Sequence, residues 1–310
     1  MNRLIALALG AACVVAAPAV ADELEARIER LTRGSAWTLV ESPTLGFDTF
    51  HPQGFARVGD TLFMASVEIT QPTTRFDAPQ DGYDRDTGKG VGHLFKLDAN
   101  GAVTGRITLG EGAIYHPGGI AYDGRWLWVP VAEYRPNSHA IVYRVDPETL
   151  EAVEVFRVAD HIGGLVHDPA NGTLHGVSWG SRRLYTWHLD ENLAVTDAGT
   201  APEDVRTPNP AHYIDYQDCE GLGAGKAVCT GLTEYRQTED GEPFALGGIE
   251  IVDLASGHPT FQVPVPLWTD EGLAMTRNPV LIEATEDGLR LTAAPEDGET
   301  RLFVYETALD

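Results

Sequence analysis

The fold is decided by the segment HPGGI at residues 116–120, because the chain repeats it with small changes. HPQGF stands at residues 51–55, HIGGL at residues 161–165, and DCEGL at residues 218–222 is a weaker copy. A fifth copy is either DEGL at residues 270–273 or NPVL at residues 278–281. Repetition at a spacing of about 50 residues is typical of propellers and solenoids, in which each repeat forms one small sheet.

Each copy is followed by a tight turn and then by further strand-like runs. The turns contain pairs such as Asp123-Gly124 and Asn171-Gly172, which supply the positive φ angles that hairpins need. The runs form five units of four strands, except that the last unit has no fourth strand after Tyr305. A spare strand at residues 37–41 precedes the first unit and completes the count.

We therefore predict an all-β fold over residues 35–310, a β-propeller with five four-stranded blades. The N-terminal strand closes the last blade, which removes the exposed edges that an open sheet would carry. A sixth blade hidden in the longer spacings is the alternative.

The first residues predict export. Arg3 precedes an apolar run at residues 4–15, and Ala19-Val20-Ala21 is the small-x-small pattern after which a signal peptidase cuts. We predict a signal peptide over residues 1–21, a mature chain from Asp22, and a periplasmic or secreted location.

A short helix is expected at residues 22–34, directly before the propeller. Leu24, Ile28 and Leu31 lie on one helical face among charged residues. This face would pack against the ring.

Cys219 and Cys229 remain once the signal peptide is removed, and they lie on either side of the turn at residues 223–226. An even number of cysteines in an oxidising compartment favours a disulfide, here between the two strands of one hairpin. A zinc site is the weaker alternative, because it would need further ligands.

The charge of the chain limits its partners. Asp and Glu number 46 against 22 Lys and Arg, which gives a net charge of −24. This acidity disfavours nucleic acid and anionic membranes as partners, because both bind basic surfaces. No stretch after the signal peptide is long and apolar enough to span a bilayer. We expect a monomer whose partner is a small polar molecule or a saccharide.

Polar side chains recur at two positions of the repeat. In a propeller blade the first strand starts, and the second strand ends, at the same face beside the axis. The strand starts carry His51, Gln53, His116, His161, Asp218 and Glu220, and the strand ends carry Glu68, Glu133, Trp179 and Glu234. We predict that these side chains surround one axial pocket.

Carboxylates beside a narrow axis repel one another unless a cation neutralises them. Imidazoles and carboxylates together suit zinc, manganese or iron. We predict a divalent metal cation held by His51, His116, His161 and Glu220, with Glu220 and His116 as the catalytic residues. Without a metal, the histidines would act as acids and bases or would cap strands by bonding to backbone.

A further set of residues is predicted to bind the substrate. The Trp179 ring offers a stacking surface, and Arg135 and Arg182 could hold an anionic group. The two arginines could equally pair with nearby glutamates. The predicted substrate-binding residues are Trp179, Arg135, Arg182, Glu68, Glu133 and Glu234. The long polar loop at residues 70–92 is expected to form a lid over this face.

Several runs resemble a family of exported bacterial propellers of unknown function. They are GKGVGHLF at residues 88–95, IYHPGG at residues 114–119, VPVAEYRPNS at residues 129–138 and HGVSWGSRR at residues 175–183. The resemblance implies a propeller and an exported location, and it implies no reaction. More distantly the chain resembles gluconolactonase-like hydrolases and NHL-repeat proteins, of which the former place a divalent cation on the propeller axis.

These patterns predict an exported, metal-dependent hydrolase of lactonase-like type that acts on a small polar substrate. The alternative is a non-catalytic module that binds a ligand or a protein on the same face.

Overall fold

The ring of sheets is closed by the N-terminal strand. The computed structural model describes residues 17–309, with side chains from residue 23. Strand β1 (Thr38–Glu41) pairs antiparallel with the last strand of the chain, Thr38 opposite Glu306 and Leu39 opposite Tyr305. The five sheets of the predicted β-propeller are therefore confirmed, and so is their closure by the N-terminal strand.

Blades 1 and 2 follow in chain order. Blade 1 contains β2 (His51–Val58), β3 (Thr61–Gln71), β6 (Lys89–Leu97) and β7 (Val103–Leu109), and the hairpin of β4 (Arg75–Gln80) and β5 (Tyr83–Arg85) lies between its second and third strands. Blade 2 contains β8 (Ile114–Pro117), β9 (Ala121–Tyr122), β10 (Leu127–Glu133), β11 (Ala140–Val145) and β12 (Ala152–Val158). Strands β8 and β9 both pair with β10, so together they form one interrupted inner strand.

The remaining blades have four strands each. Blade 3 contains β13 (Ile162–Asp168), β14 (Thr173–Ser178), β15 (Arg183–His188) and β16 (Arg206–Pro208), with short 3₁₀ turns at Trp179–Ser181 and Pro202–Asp204. Blade 4 contains β17 (Asp215–Gly223), β18 (Lys226–Arg236), β19 (Pro243–Asp253) and β20 (Pro259–Val265). Blade 5 contains β21 (Val280–Ala284), β22 (Gly288–Ala293), β23 (Phe303–Ala308) and β1.

The core lies between neighbouring sheets. Trp128 of blade 2 and Leu165 and Trp187 of blade 3 are buried in one apolar cluster. Each sheet thus buries both faces against its neighbours, as layered β-structures require. The inner edge of every sheet faces the axis, where polar groups converge.

A bulge at one position sets the register of three inner strands. Gln53, Gly163 and Gln217 are the bulged residues of β2, β13 and β17. A bulge adds one unpaired residue and re-aims its neighbours. His51, His161 and Asp215 each stand two residues before their bulge, so these three positions are equivalent.

The N-terminal helix differs in its bounds from the expected one. Helix α1 spans Ala17–Ile28, and turns rather than helix follow it up to residue 34. Ile28 and Leu31 are buried in the cluster between blades 4 and 5, and Leu24 packs against that cluster. The expected apolar face therefore packs on the ring, although its last residue lies beyond the helix.

Most of the predicted signal peptide, residues 1–16, lies outside the described residues, so the signal peptide stays a prediction. Within the described part of the chain, no helix is long and apolar enough to cross a membrane.

The predicted disulfide is confirmed. Cys219 of β17 lies directly opposite Cys229 of β18 and is bonded to it, with the Cα atoms 4.1 Å apart. Both residues are buried in the cluster between blades 3 and 4.

We expect the double substitution Cys219→Ala with Cys229→Ala to lower the free energy of unfolding by about 2–4 kcal/mol, because the unfolded chain loses a cross-link. Urea denaturation measures the change. A reductant should destabilise the wild type by a similar amount and leave the double variant unaffected. Equal stability of the oxidised wild type and the double variant would contradict this expectation.

Candidate functional site

The structure brings the three predicted histidines together at one end of the axis. His51 starts β2, His116 lies in β8, and His161 directly precedes β13. The ring centroids of His51 and His116 are 6.4 Å apart, and those of His116 and His161 are 6.0 Å apart. All three line one open pocket, which we call the three-histidine pocket.

Two of these imidazoles are held in a fixed orientation. The carbonyl oxygen of Glu133 accepts a hydrogen bond of 2.9 Å from Nδ1 of His161. The carboxylate of Asp297 lies 2.8 Å from Nδ1 of His51. Since Nδ1 is occupied in both rings, Nε2 is the nitrogen that remains to bind a ligand.

Asp297 is itself fixed by two neighbours. Asn278 and Arg277 each donate a hydrogen bond of 3.2 Å to its carboxylate. Burial opposes ionisation, but the hydrogen bond with His51 and the charge of Arg277 leave the pKa of Asp297 below its usual value. Asp297 is therefore a carboxylate that orients His51.

His116 has no hydrogen-bond partner at either ring nitrogen among the described residues, although it is only 5% exposed. Its ring stacks on Tyr134, with the centroids 4.3 Å apart. Burial, followed by the nearby His161 and His51, lowers its pKa well below the usual value. Burial also lowers the pKa of His161 to about 4. Both imidazoles are thus neutral at pH 7 and carry lone pairs.

Aromatic rings form one wall of the pocket. Trp179 lies 4.9 Å from the ring of His161 and 5.6 Å from that of Tyr134, measured between centroids. The guanidinium group of Arg85 lies 5.0 Å above the Trp179 ring. Arg85 belongs to the β4–β5 hairpin, so the loop expected to form a lid reaches the edge of the pocket.

Trp179 lines the pocket as predicted, whereas the other predicted substrate-binding residues do not. The carboxylate of Glu133 pairs with Arg135 at 2.6 Å and faces His139 at 3.2 Å. Arg135 also stacks on Tyr83, with its guanidinium carbon 3.4 Å from the ring centroid. Of the two alternatives for Arg135, the structure shows pairing with a glutamate. Glu133 contributes its carbonyl oxygen to the pocket, where it orients His161.

The remaining three predicted residues also lie outside the lining. Arg182 donates to Asp215 at 2.7 Å and is bonded to backbone carbonyls, so it fixes the pocket edge. Glu68 pairs with His93 of the same blade at 3.0 Å. Glu234 is exposed on the protruding end of β18.

Glu220 is separated from the histidines, which corrects the predicted grouping. When the glycine of DCEGL at residues 218–222 is matched to the glycines of the other repeats, Asp218 takes the position of the leading histidines. The bulge register places Asp215 at that position instead. Glu220 lies five residues further along β17, about 17 Å at the usual rise per residue, and lines a second cavity.

Sequence reasoning missed four residues of this site. Asp215 and Gln217 line the pocket, Tyr134 stacks on His116, and Asp297 orients His51. The sequence does contain a signal for the correct alignment of the repeats, since the glutamines Gln53 and Gln217 occupy the same bulge position in β2 and β17. Nothing in the sequence marked Asp297, because it lies in a loop of blade 5 outside the repeat.

The donors of the pocket fit a divalent cation by their chemistry. Neutral imidazoles bind transition metals, and metal-binding histidines commonly donate their other N–H to a carboxylate or a carbonyl. The spacing is wider than a formed site requires, since imidazole centroids on one zinc lie about 5 Å apart. Among the described residues, no group of three or more His, Cys, Asp or Glu side chains is spaced to hold a metal ion.

The closed ring of five sheets with a polar pocket on its axis defines a β-propeller with a candidate small-molecule site. The chain belongs to the family of unknown function DUF6454, whose model matches residues 6–310. This match confirms the resemblance to a propeller family of unknown function. No curated protein matches the chain.

Solved structures that are similar to the chain include the following three. The tail fiber of Staphylococcus aureus phage P68 is 11% identical with a TM-score of 0.44, and the match covers 93% of this chain and 56% of the fiber. A luciferin-regenerating enzyme is 12% identical with a TM-score of 0.45, and the match covers 89% of this chain and 95% of the enzyme. The periplasmic gluconolactonase PpgL of Pseudomonas aeruginosa is 13% identical with a TM-score of 0.36, covering 84% and 89%. Similarity at this level carries no information about chemistry.

We expect His161 to make the protein less stable as the pH falls from 6.5 to 4. Its pKa is about 4 in the folded chain and about 6.5 in an unfolded one, so the unfolded state binds more protons in this window. The contribution to the free energy of unfolding is about 3 kcal/mol at pH 4. Thermal denaturation of wild type and His161→Gln at pH 7, 5.5 and 4 measures it, and the variant should lose less stability.

His258→Gln is the matched control, because His258 is exposed on a turn of blade 4. The stability of this variant should depend on pH as that of the wild type does. An unchanged dependence in His161→Gln would show that His161 does not stay neutral in the folded chain.

Proposed function

We propose that this protein is an exported hydrolase that binds a small polar molecule in the three-histidine pocket with the help of a divalent cation. The observation that carries the proposal is His116, a buried imidazole between two oriented imidazoles, whose two nitrogens have no hydrogen-bond partner among the described residues. A buried polar group without a partner costs about 1–3 kcal/mol, so its retention favours a ligand at this point.

The cation would be held by His51, His116 and His161. When bound, it would polarise a carbonyl group of the substrate or lower the pKa of a water molecule. Asp297 and the Glu133 carbonyl would keep the imidazoles of His51 and His161 oriented toward it.

The chain's own residues suit the binding of a small polar substrate. Trp179 and Tyr134 offer ring surfaces, while Gln53 and Gln217 offer amide groups that both donate and accept hydrogen bonds. Asp215 lies at the edge of the pocket, where burial raises its pKa, and it would accept a proton released during hydrolysis. Arg182 would position this carboxylate.

The exported location is supported by the disulfide, because disulfides persist in oxidising compartments. Periplasm and extracellular space both satisfy this condition.

A non-catalytic binding module is the second candidate function. The observation that favours it is the wide spacing of the three imidazoles, which leaves the described residues without a formed metal centre. In that case the imidazoles would act as hydrogen-bonding groups for a sugar or another polar ligand.

Metal content distinguishes the two functions. We expect purified wild type to retain about one transition-metal ion per chain, and His116→Ala to bind the metal at least tenfold more weakly. Elemental analysis and a panel of lactones and esters, assayed with and without a chelator, provide the measurement. Hydrolysis should stop when the chelator is added.

His258→Ala serves as the control and should match the wild type in metal content and activity. The hydrolase would be excluded, and the binding module would remain, if the wild type contained no metal and the chelator changed neither its melting temperature nor its activity on the substrate panel.

Asp297→Asn tests the orienting contact separately. The substitution preserves shape and removes the charge that holds His51, so we expect metal affinity to fall by about 10- to 100-fold. Isothermal titration of the apo-protein with Zn²⁺ measures it. Asp287→Asn, at an exposed turn of the same blade, is the matched control. Equal Zn²⁺ affinity in Asp297→Asn and the wild type would show that Asp297 does not contribute to metal binding.

A further inference from the structure

The axis has a second polar cavity at the end opposite the histidines. Strand β17 contributes Asp215 to the three-histidine pocket and Glu220 to this second cavity. Strand β2 likewise contributes His51 to the first and Arg57 to the second. All five blades contribute to its lining. We call it the lower mouth, and its volume is about 360 Å³.

Asp218 separates the two cavities. Its side chain lies on the axis, where one carboxylate oxygen accepts a hydrogen bond of 2.7 Å from the backbone of Phe55 and the other accepts one of 3.1 Å from Cys219. Gly119 faces it so closely that an added Cβ would lie 2.7 Å from the carboxylate. The axis is filled at this level, so the lower mouth is a site independent of the proposed function.

Two polar groups of residues that line the lower mouth have no hydrogen-bond partner among the described residues. The carboxyl group of Glu220 makes no hydrogen bond or ion pair to the described residues. Nε2 of His167 is buried without a hydrogen-bond partner, and the residue is 8% exposed. A buried imidazole nitrogen is paired in the great majority of cases, so Nε2 of His167 points to a ligand at this end of the axis, and the partly exposed Glu220 lines the same cavity.

The other charged groups of the lower mouth are already engaged. Arg57, the one Lys or Arg among the described residues of the lining, forms an ion pair with Glu283 at 2.7 Å, although its Nε makes no hydrogen bond to the described residues. Asp123 accepts hydrogen bonds from Trp128 at 2.8 Å and from the backbone of Arg125 at 2.7 Å. The lining therefore holds more carboxylates than cations, within a chain whose net charge is −24.

We propose that the lower mouth is a second binding site, whose ligand is a small organic cation that carries an ammonium or guanidinium group. The N–H groups of such a cation would donate to the carboxylate of Glu220 and to Nε2 of His167 in its neutral form. The cavity is large enough for a ligand of this class.

The ionisation of Glu220 is consistent with this ligand. Burial, and then the charge of Glu283, raise the pKa of Glu220 to about 8, while Arg57 opposes the shift. Without a ligand the carboxyl group is therefore mostly protonated at pH 7. A bound cation would favour the carboxylate, so binding at pH 7 should release close to one proton.

Isothermal titration of full-length protein with agmatine and n-butylamine tests the proposal, with n-butanol as the neutral probe. We expect saturable binding of one or both amines, no binding of the alcohol, and an affinity at least tenfold lower in Glu220→Gln. Titration in two buffers of different ionisation enthalpy measures the proton released, which Glu220→Gln should not release.

Two controls locate the site. Glu234→Gln removes an exposed carboxylate of the same blade, and His116→Ala alters only the three-histidine pocket, so both should bind the amines like the wild type. His167→Gln gives a second variant within the lower mouth and should also weaken binding.

The absence of saturable amine binding would overturn the proposal, as would equal affinity in Glu220→Gln, His167→Gln and the wild type. Binding that is lost in His116→Ala and kept in Glu220→Gln would assign the amine to the three-histidine pocket instead. Because His116→Ala separates the two ends of the axis, failure of this proposal leaves the proposed hydrolase untouched.

Discussion

The pairing of β1 with β23 is the contact on which the rest of the structure depends. It covers the open edge of β23 and completes the fifth sheet, so that five separate sheets surround one axis. Closure also forces the inner strands to converge. A residue type that recurs at one position of successive blades must therefore meet its copies, as His51, His116 and His161 do.

Convergence on a narrow axis carries a free-energy cost, because polar groups lose water there. The structure offsets this cost at some positions and not at others. Asp218 is satisfied by two backbone N–H groups and fills the middle of the axis. Neither His116 above it nor Glu220 below it makes a side-chain hydrogen bond to the described residues. Burial lowers the pKa of His116 and raises that of Glu220, and each shift favours the neutral form. Departures of this kind from full satisfaction are typical of binding sites.

The parts of the site that could be predicted were those with a periodic signal. The histidines recur before a glycine in three copies, which was enough to place them at one end of the axis. The weaker copy at residues 218–222 was misleading. Matching its glycine to the other repeats places Asp218 at the histidine position, whereas the bulge at Gln217 places Asp215 there. Arg135 could have faced a ligand or Glu133, and only the 2.6 Å contact decides between them.

The sequence by itself determined the number of blades, their closure by the N-terminal strand and the disulfide across one hairpin. These features follow from short-range patterns, namely turn pairs, strand alternation and the spacing of two cysteines. Only the tertiary structure decided that Asp297 orients His51, that Asp215 takes the histidine position of blade 4, and that Glu220 opens into a separate cavity. The reason is physical: such neighbours come from blades far apart in the chain, and a one-residue bulge or a backbone hydrogen bond changes which of them meet.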